Sequence, residues 1–162
     1  MHGRADVCRA GGELIDPRAI IDPSAVIGAN VSIGPWTTIG PNVEIGDDTW
    51  ISSHVVVKGP TVIGKRNKIY QVSTVGDDTP AYAYSGEPTT LRIGDDNVIR
   101  EGVTIHRGMT QDRGETAMGN HNLLMAYVHV GHDCVLGDHV VMPNNASVAG
   151  HVNVGDWANF GG

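Results

Sequence analysis

"IDPSAVIGANVSIGPWTTIGPNVEIGDDTWI" (Ile21 to Ile51) sets an isoleucine at every sixth position, followed in most repeats by glycine. The period runs back to Ile15 and forward through Val57, Ile63, Ile69 and Val75. It returns at Ile93, Ile99 and Ile105, and again in steps of six from Met118 to Phe160. Four positions after each aliphatic residue the side chain is usually small or β-branched (Ala19, Ala25, Val31, Thr37). A period of six matches neither the 3.6 of an α-helix nor a long alternating strand, because glycine interrupts most repeats. It fits an all-β parallel β-helix in which each hexapeptide is one short strand and a corner. Three hexapeptides close a triangular coil, so residues eighteen apart stack at the ~4.8 Å strand spacing.

About seven coils are expected over residues 15–162, after an extension, residues 1–14, with no evident role. Two stretches break the period: residues 77–92, "DDTPAYAYSGEPTTLR", and residues 107–117, "RGMTQDRGETA". In a solenoid such insertions project as loops from a corner and often carry function.

Composition narrows the classes of function. The chain is 40% hydrophobic but only 5% aromatic, with 22 glycines, so its core is built from small aliphatic side chains in a regular array. A net charge of −7 argues against nucleic acid, whose phosphates need a positive field. The run Lys65-Arg66-Asn67-Lys68 reads as a solvated corner. Two cysteines, Cys8 and Cys134, are too few for a disulfide framework and fit a reducing compartment. Cys134 adjoins Asp133, a neighbour that disfavours a thiolate, so it is not read as a nucleophile. No stretch approaches the ~20 apolar residues of a membrane span, and the start has no signal-peptide core. The expectation is a soluble, cytoplasmic protein.

The segment "AYVHVGHDCVLGDH" (Ala126 to His139) holds three of the eight histidines. The eighteen-residue register sorts them. Let the strands at Met118, Leu124 and Val130 define faces A, B and C. If each loop occupies one corner, Ile105, Val75 and Val57 also lie on face C. His132 then sits beneath Gly150, His151 over Asp133, His129 just before Val130, and His106 one coil back. A neutral imidazole beside a carboxylate is suited to act as general base toward a hydroxyl. A backbone N–H at Gly150 could hold an oxyanion. Together these point to acyl transfer to an alcohol, with His132 as base, Asp133 as its orienter and Gly150 as donor. His106, His129 and His151 stand as substrate contacts or as supports of the base. His121 and His139 are also eighteen apart but have no acid or glycine donor beside them, and read as stacked corner residues. His54 and His2 have no partners.

Three segments, "GEPTTLRIGDDNVIREGVTIHRG", "HNLLMAYVHVGHDCVLG" and "NNASVAGHVNVGDWA", closely resemble the UDP-N-acetylglucosamine acyltransferases that begin lipid A biosynthesis. The resemblance runs from about Ile15 to the last residue. It implies a left-handed parallel β-helix, assembled as a homotrimer with sites between subunits. It also implies transfer of a 3-hydroxyacyl chain from acyl carrier protein to the 3-hydroxyl of UDP-N-acetylglucosamine, without a metal or other cofactor. Position by position, the family's general base falls on His132, its partner on Asp133 and its oxyanion glycine on Gly150. Histidines near substrate fall on His106, His129 and His151.

Two features depart from the family. Ala81 and Ala83 stand where it usually carries an aspartate and a lysine. The ending "GDWANFGG" stops in mid-repeat, whereas the family continues into a helical C-terminal region, so a chain without that region is expected. The rival readings are a metal-dependent hydratase of the γ-carbonic anhydrase type, with His106, His129 and His132 offering imidazoles to zinc, and a non-catalytic trimeric scaffold.

Overall fold

The computed structural model describes residues 14–161; Cys8 and His2 lie outside them. Every regular element among the described residues is a short strand, and all strand pairings are parallel. Face C carries seven strands from Ile20–Ile21 to Ser147–Val148, and face A seven from Val26–Ile27 to Asn153–Val154. Face B carries six from Ser32–Ile33 to Val141–Met142. Bridges Ile15↔Ile33 and Val141↔Asn159 extend face B at both ends.

The aliphatic ladders point inward. On face B, Ile33, Ile51, Ile69, Ile99, Leu124 and Met142 are all essentially inaccessible to solvent. Each such side chain contributes about 1.5–3 kcal/mol relative to exposure. On face A glycine follows the inward residues, as at Gly46, Gly64, Gly94, Gly119 and Gly137, because the next coil is too close for a side chain: a Cβ on Gly46 would lie 2.6 Å from the Gly64 carbonyl carbon. Two residues beyond that glycine position the chain turns through left-handed φ, as at Asn30, Asp48, His121, Asp133, His139 and His151. Asn, Asp and His tolerate that conformation better than most residues. Among these corner residues, most of which are exposed, Asp133 alone is fully buried.

Val75 pairs with Ile105 and Ile105 with Val130, so each interruption occupies one corner and face C continues through both. The insertions are shorter than the broken period suggests. The flanking strands run Thr74–Asp77 and Thr90–Ile93 around the first, and Thr104–His106 and Glu115–Met118 around the second. The expected bounds of 77–92 and 107–117 overshoot because Thr90–Ile93 and Glu115–Met118 pair with each other over four residues. The irregular segments are therefore 78–89 and 107–114, and both leave from the corner between faces C and A.

The run Lys65–Lys68 also needs correction. Lys65 and Arg66 are exposed and paired with Asp47, Asp95 and Asp96, but Asn67 is fully buried. It begins a ladder with Asn97 and Asn122. The Asn67 side-chain oxygen accepts from the backbone N–H and the side-chain amide of Asn97, and the Asn97 oxygen accepts from the Asn122 backbone. A buried polar group is tolerable when its hydrogen bonds are met, and here successive coils meet those of Asn67 and Asn97, while Asn122 Nδ2 is left without a partner.

Candidate active site

At the corner between faces C and A, His132 Nδ1 lies 2.8 Å from Asp133 Oδ2. The imidazole is partly exposed, while the carboxylate is wholly enclosed. The second insertion encloses it. Met109 N–H donates to Oδ2 at 2.9 Å and Gly114 N–H to Oδ1 at 3.1 Å, while Asp133's own N–H donates to Thr116 Oγ1 at 2.8 Å. With both oxygens occupied, the carboxylate cannot swing, and it fixes the ring it faces. A carboxylate accepts and cannot donate, so Nδ1 carries the proton and Nε2 is left as the basic nitrogen.

That nitrogen faces Gly150. A Cβ placed on Gly150 would lie 2.5 Å from His132 Nε2, so the absence of a side chain leaves room for the imidazole. One residue on, His151 meets the His132 ring edge-on at 4.7 Å. The register sets His151 over Asp133, yet the acid it binds is Asp112 of the second insertion, at 2.7 Å from Nδ1.

His129 Nδ1 is 2.8 Å from Thr104 Oγ1, and its ring meets His106 edge-on at 4.9 Å. Burial lowers the pKa of both: for His106 the neighbouring His129 adds to the effect against Asp77, and for His129 burial is the cause. Both rings are therefore kept neutral near pH 7. Cys134 is buried, its thiol pKa raised first by burial, and Sγ donates to Ala149 O. It is a packing residue.

His106, His129, His132 and Gly150 share an open cleft of about 240 Å³, walled on one side by Thr79, Pro80 and Ala81. A larger groove of about 330 Å³ runs over the outside of face A, past Val26, Val62 and Arg92, and contains no histidine. The histidines gather at the smaller cleft.

All six residues singled out from the sequence converge at this corner. Those the sequence reading passed over are Arg107, Tyr84, Asp112, Thr104 and Thr116, which hold the loops and rings in place. Spacing alone does not reveal them, because four of them act across the insertions or out of the repeat's register. His121 and His139 stack elsewhere, 4.9 Å apart and nearly parallel, and Trp157 lies against His139 at 3.9 Å. His54 is an exposed corner residue.

The zinc reading expects His106, His129 and His132 to converge on one point. The trio whose ligand atoms lie within 4.8 Å of one another is instead His132, Asp133 and His151. In that trio Asp133 already accepts two backbone N–H groups and the His132 ring, so the donor set does not suit an ion.

Repeat and fold point to the hexapeptide-repeat class: residues 115–150 match the bacterial transferase hexapeptide family (six repeats). Within that class the chain is 64% identical over 149 residues to the acyl-[acyl-carrier-protein]–UDP-N-acetylglucosamine O-acyltransferase of Stutzerimonas stutzeri strain A1501, covering 92% of this chain and 58% of that protein. It superposes on LpxA from Acinetobacter baumannii with a TM-score of 0.92 at 51% identity, over 93% of this chain and 58% of that one. The UDP-N-acetylglucosamine O-acyltransferase of Moraxella catarrhalis gives 0.91 at 49% identity, with the same coverage. Over nearly all of its length the chain is thus similar to UDP-N-acetylglucosamine O-acyltransferases, and its fold is the left-handed parallel β-helix of those structures. It spans somewhat more than half the length of these relatives.

Proposed function

We propose that this chain carries the catalytic corner of an enzyme that moves a 3-hydroxyacyl group from acyl carrier protein to the 3-hydroxyl of UDP-N-acetylglucosamine, the first step of lipid A biosynthesis. The observation that carries the reading is the His132–Asp133 pair set beneath Gly150. His132 Nε2 takes the proton of the sugar hydroxyl as its oxygen attacks the thioester carbonyl. Asp133 holds the imidazolium that results, and the Gly150 backbone N–H faces the oxyanion of the tetrahedral intermediate. Collapse breaks the carbon–sulfur bond, and His132 returns the proton to the departing thiolate. His106 and His129, which line the cleft, and His151, which meets the His132 ring edge-on, are the substrate contacts. Acyl carrier protein and the nucleotide sugar are the partners, and a cytoplasmic homotrimer is the corresponding assembly. No helix among the described residues is long and apolar enough to cross a membrane.

The test is an acyl-transfer assay with 3-hydroxyacyl carrier protein and UDP-N-acetylglucosamine. His132→Ala is expected to lower kcat by about 10²–10⁴-fold. Transfer at the unmodified rate would remove His132 from the mechanism. One observation favours the scaffold reading: Ala81, in the cleft wall, offers substrate no polar group. An unmodified chain that neither binds the nucleotide sugar nor turns over would decide for the scaffold.

A further inference from the structure

Arg107 directly follows His106 on face C, and its side chain is almost wholly buried. A bulge at Gly76, where φ is +79°, shifts the pairing from Val75↔Ile105 to Asp77↔His106. Beside that bulge the Arg107 guanidinium donates from Nη1 to the Gly76 carbonyl and from Nη2 to Asp78 Oδ1. Nη2 also donates to Tyr84 Oη at 3.0 Å, and Tyr84 in turn donates to Asp78 at 2.9 Å. One side chain therefore holds the entry of the first insertion, at Gly76 and Asp78, and its return, at Tyr84. Between those attachment points lie Thr79, Pro80 and Ala81, which wall the cleft over His106, His129 and His132. Beyond them Tyr82 is fully exposed, and no hydrogen bond from residues 79 to 83 to the coils other than through the chain ends is evident among the described residues.

We infer that Arg107 is a positioning residue that clasps the 78–84 segment as the wall of the acceptor cleft. The inference rests on the acyltransferase reading only for its kinetic consequence. The planar fork of a guanidinium can meet a carbonyl, a carboxylate and a phenol at once, which a lysine ammonium cannot do with the same geometry. Because Ala81 and Ala83 bring no charge to the cleft, the wall acts by shape and exclusion of water, and its position is what Arg107 supplies. The His132–Asp133 pair is held separately, by backbone N–H groups of Met109 and Gly114.

Hydrogen exchange and steady-state kinetics on the full chain test this together. In Arg107→Ala, amides of residues 78–89 are expected to exchange about tenfold faster or more, with those of residues 123–136 unchanged. Added guanidinium ion restores part of the protection, whereas Arg107→Lys does not. The KM for UDP-N-acetylglucosamine rises about tenfold while kcat stays within about twofold. Should Arg107→Ala fail to fold, Tyr84→Phe removes one attachment and leaves the charge paired, and is expected to raise loop exchange by a smaller factor. Unaltered loop exchange in both variants, or exchange that rises equally in the coils, overturns the clasp. A fall in kcat at constant KM overturns its positioning role. If the unmodified chain shows no transfer, the functional reading fails, and loop exchange alone still decides the clasp.

Discussion

Two corners of this solenoid hold histidines in successive coils, and they have opposite characters. At the corner after face A, His121, His139 and Trp157 lie eighteen residues apart and stack nearly flat, with interplanar angles of 8° and 10°. At the corner after face C the same register sets His132 beneath Gly150 and Asp133 beneath His151, and the two imidazoles meet at 90°. Like on like gives a stable column with every ring occupied by its neighbour. Unlike on unlike leaves a ring nitrogen facing a bare backbone, and a carboxylate that would be orphaned without outside donors. The inserted loop supplies those donors. On the proposed reading, histidines become chemically useful in this fold where successive coils differ and an insertion feeds the corner.

After His132→Ala, the largest effect expected on activity is that of Gly150→Ala. It makes the two successive coils more alike at one atom, placing a Cβ against His132 Nε2 and driving the ring off its position. A displacement of that kind lowers transfer by about 10²-fold, while thermal unfolding changes little because φ at Gly150 suits an L-residue. Wild-type turnover in this variant would show that the ring has room to spare and that the mismatch of coils is incidental. Asp133→Asn tests the donors. Its amide must turn an N–H toward the Met109 or Gly114 N–H, leaving a buried donor unmet at about 1–3 kcal/mol, read as a lower urea midpoint. Unchanged stability would mean that the loop does not depend on the carboxylate.

A smaller effect concerns pH. His106 and His129 have folded pKa values below the ordinary imidazole value, chiefly through burial. The unfolded chain therefore binds protons that the folded chain refuses, and stability rises with pH across that window. The contribution is intact above the unfolded imidazole value, near 6.5, and is lost as pH falls from there through the lowered folded values. Urea titrations at pH 8 and pH 5 are expected to show the loss, and His106→Gln with His129→Gln should flatten it. A slope that survives both substitutions would assign it to carboxylates elsewhere.

The ladders, the three-faced coil and the contents of the site were legible because one number, eighteen, converts sequence into neighbours. Ile105 to Val130 and His132 to Gly150 follow from it once each loop is given a single corner. What was not legible acts outside that register. Arg107, Tyr84 and Asp112 meet their partners across inserted segments whose path no period fixes, and Asn67 looks like part of a charged corner until its amide is seen bonded to Asn97 one coil on.

The smallest expected effect bears most directly on the contrast between the corners. His139→Asn keeps a residue suited to left-handed φ and removes only the ring between His121 and Trp157. Loss of its two stacking partners should lower stability by about 0.5–1.5 kcal/mol per ring pair and leave transfer within about twofold. His139→Ala adds the strain of a left-handed alanine, about 1–2 kcal/mol, so the difference between the two variants separates the ring from the backbone. His132→Asn, the same exchange at the other corner, should abolish transfer while perturbing the fold little, because that ring is partly exposed and meets His151 only edge-on. If His139→Asn slowed transfer as His132→Asn does, the flat column would be coupled to the chemistry. The division between a structural and a reactive corner would then have to be abandoned.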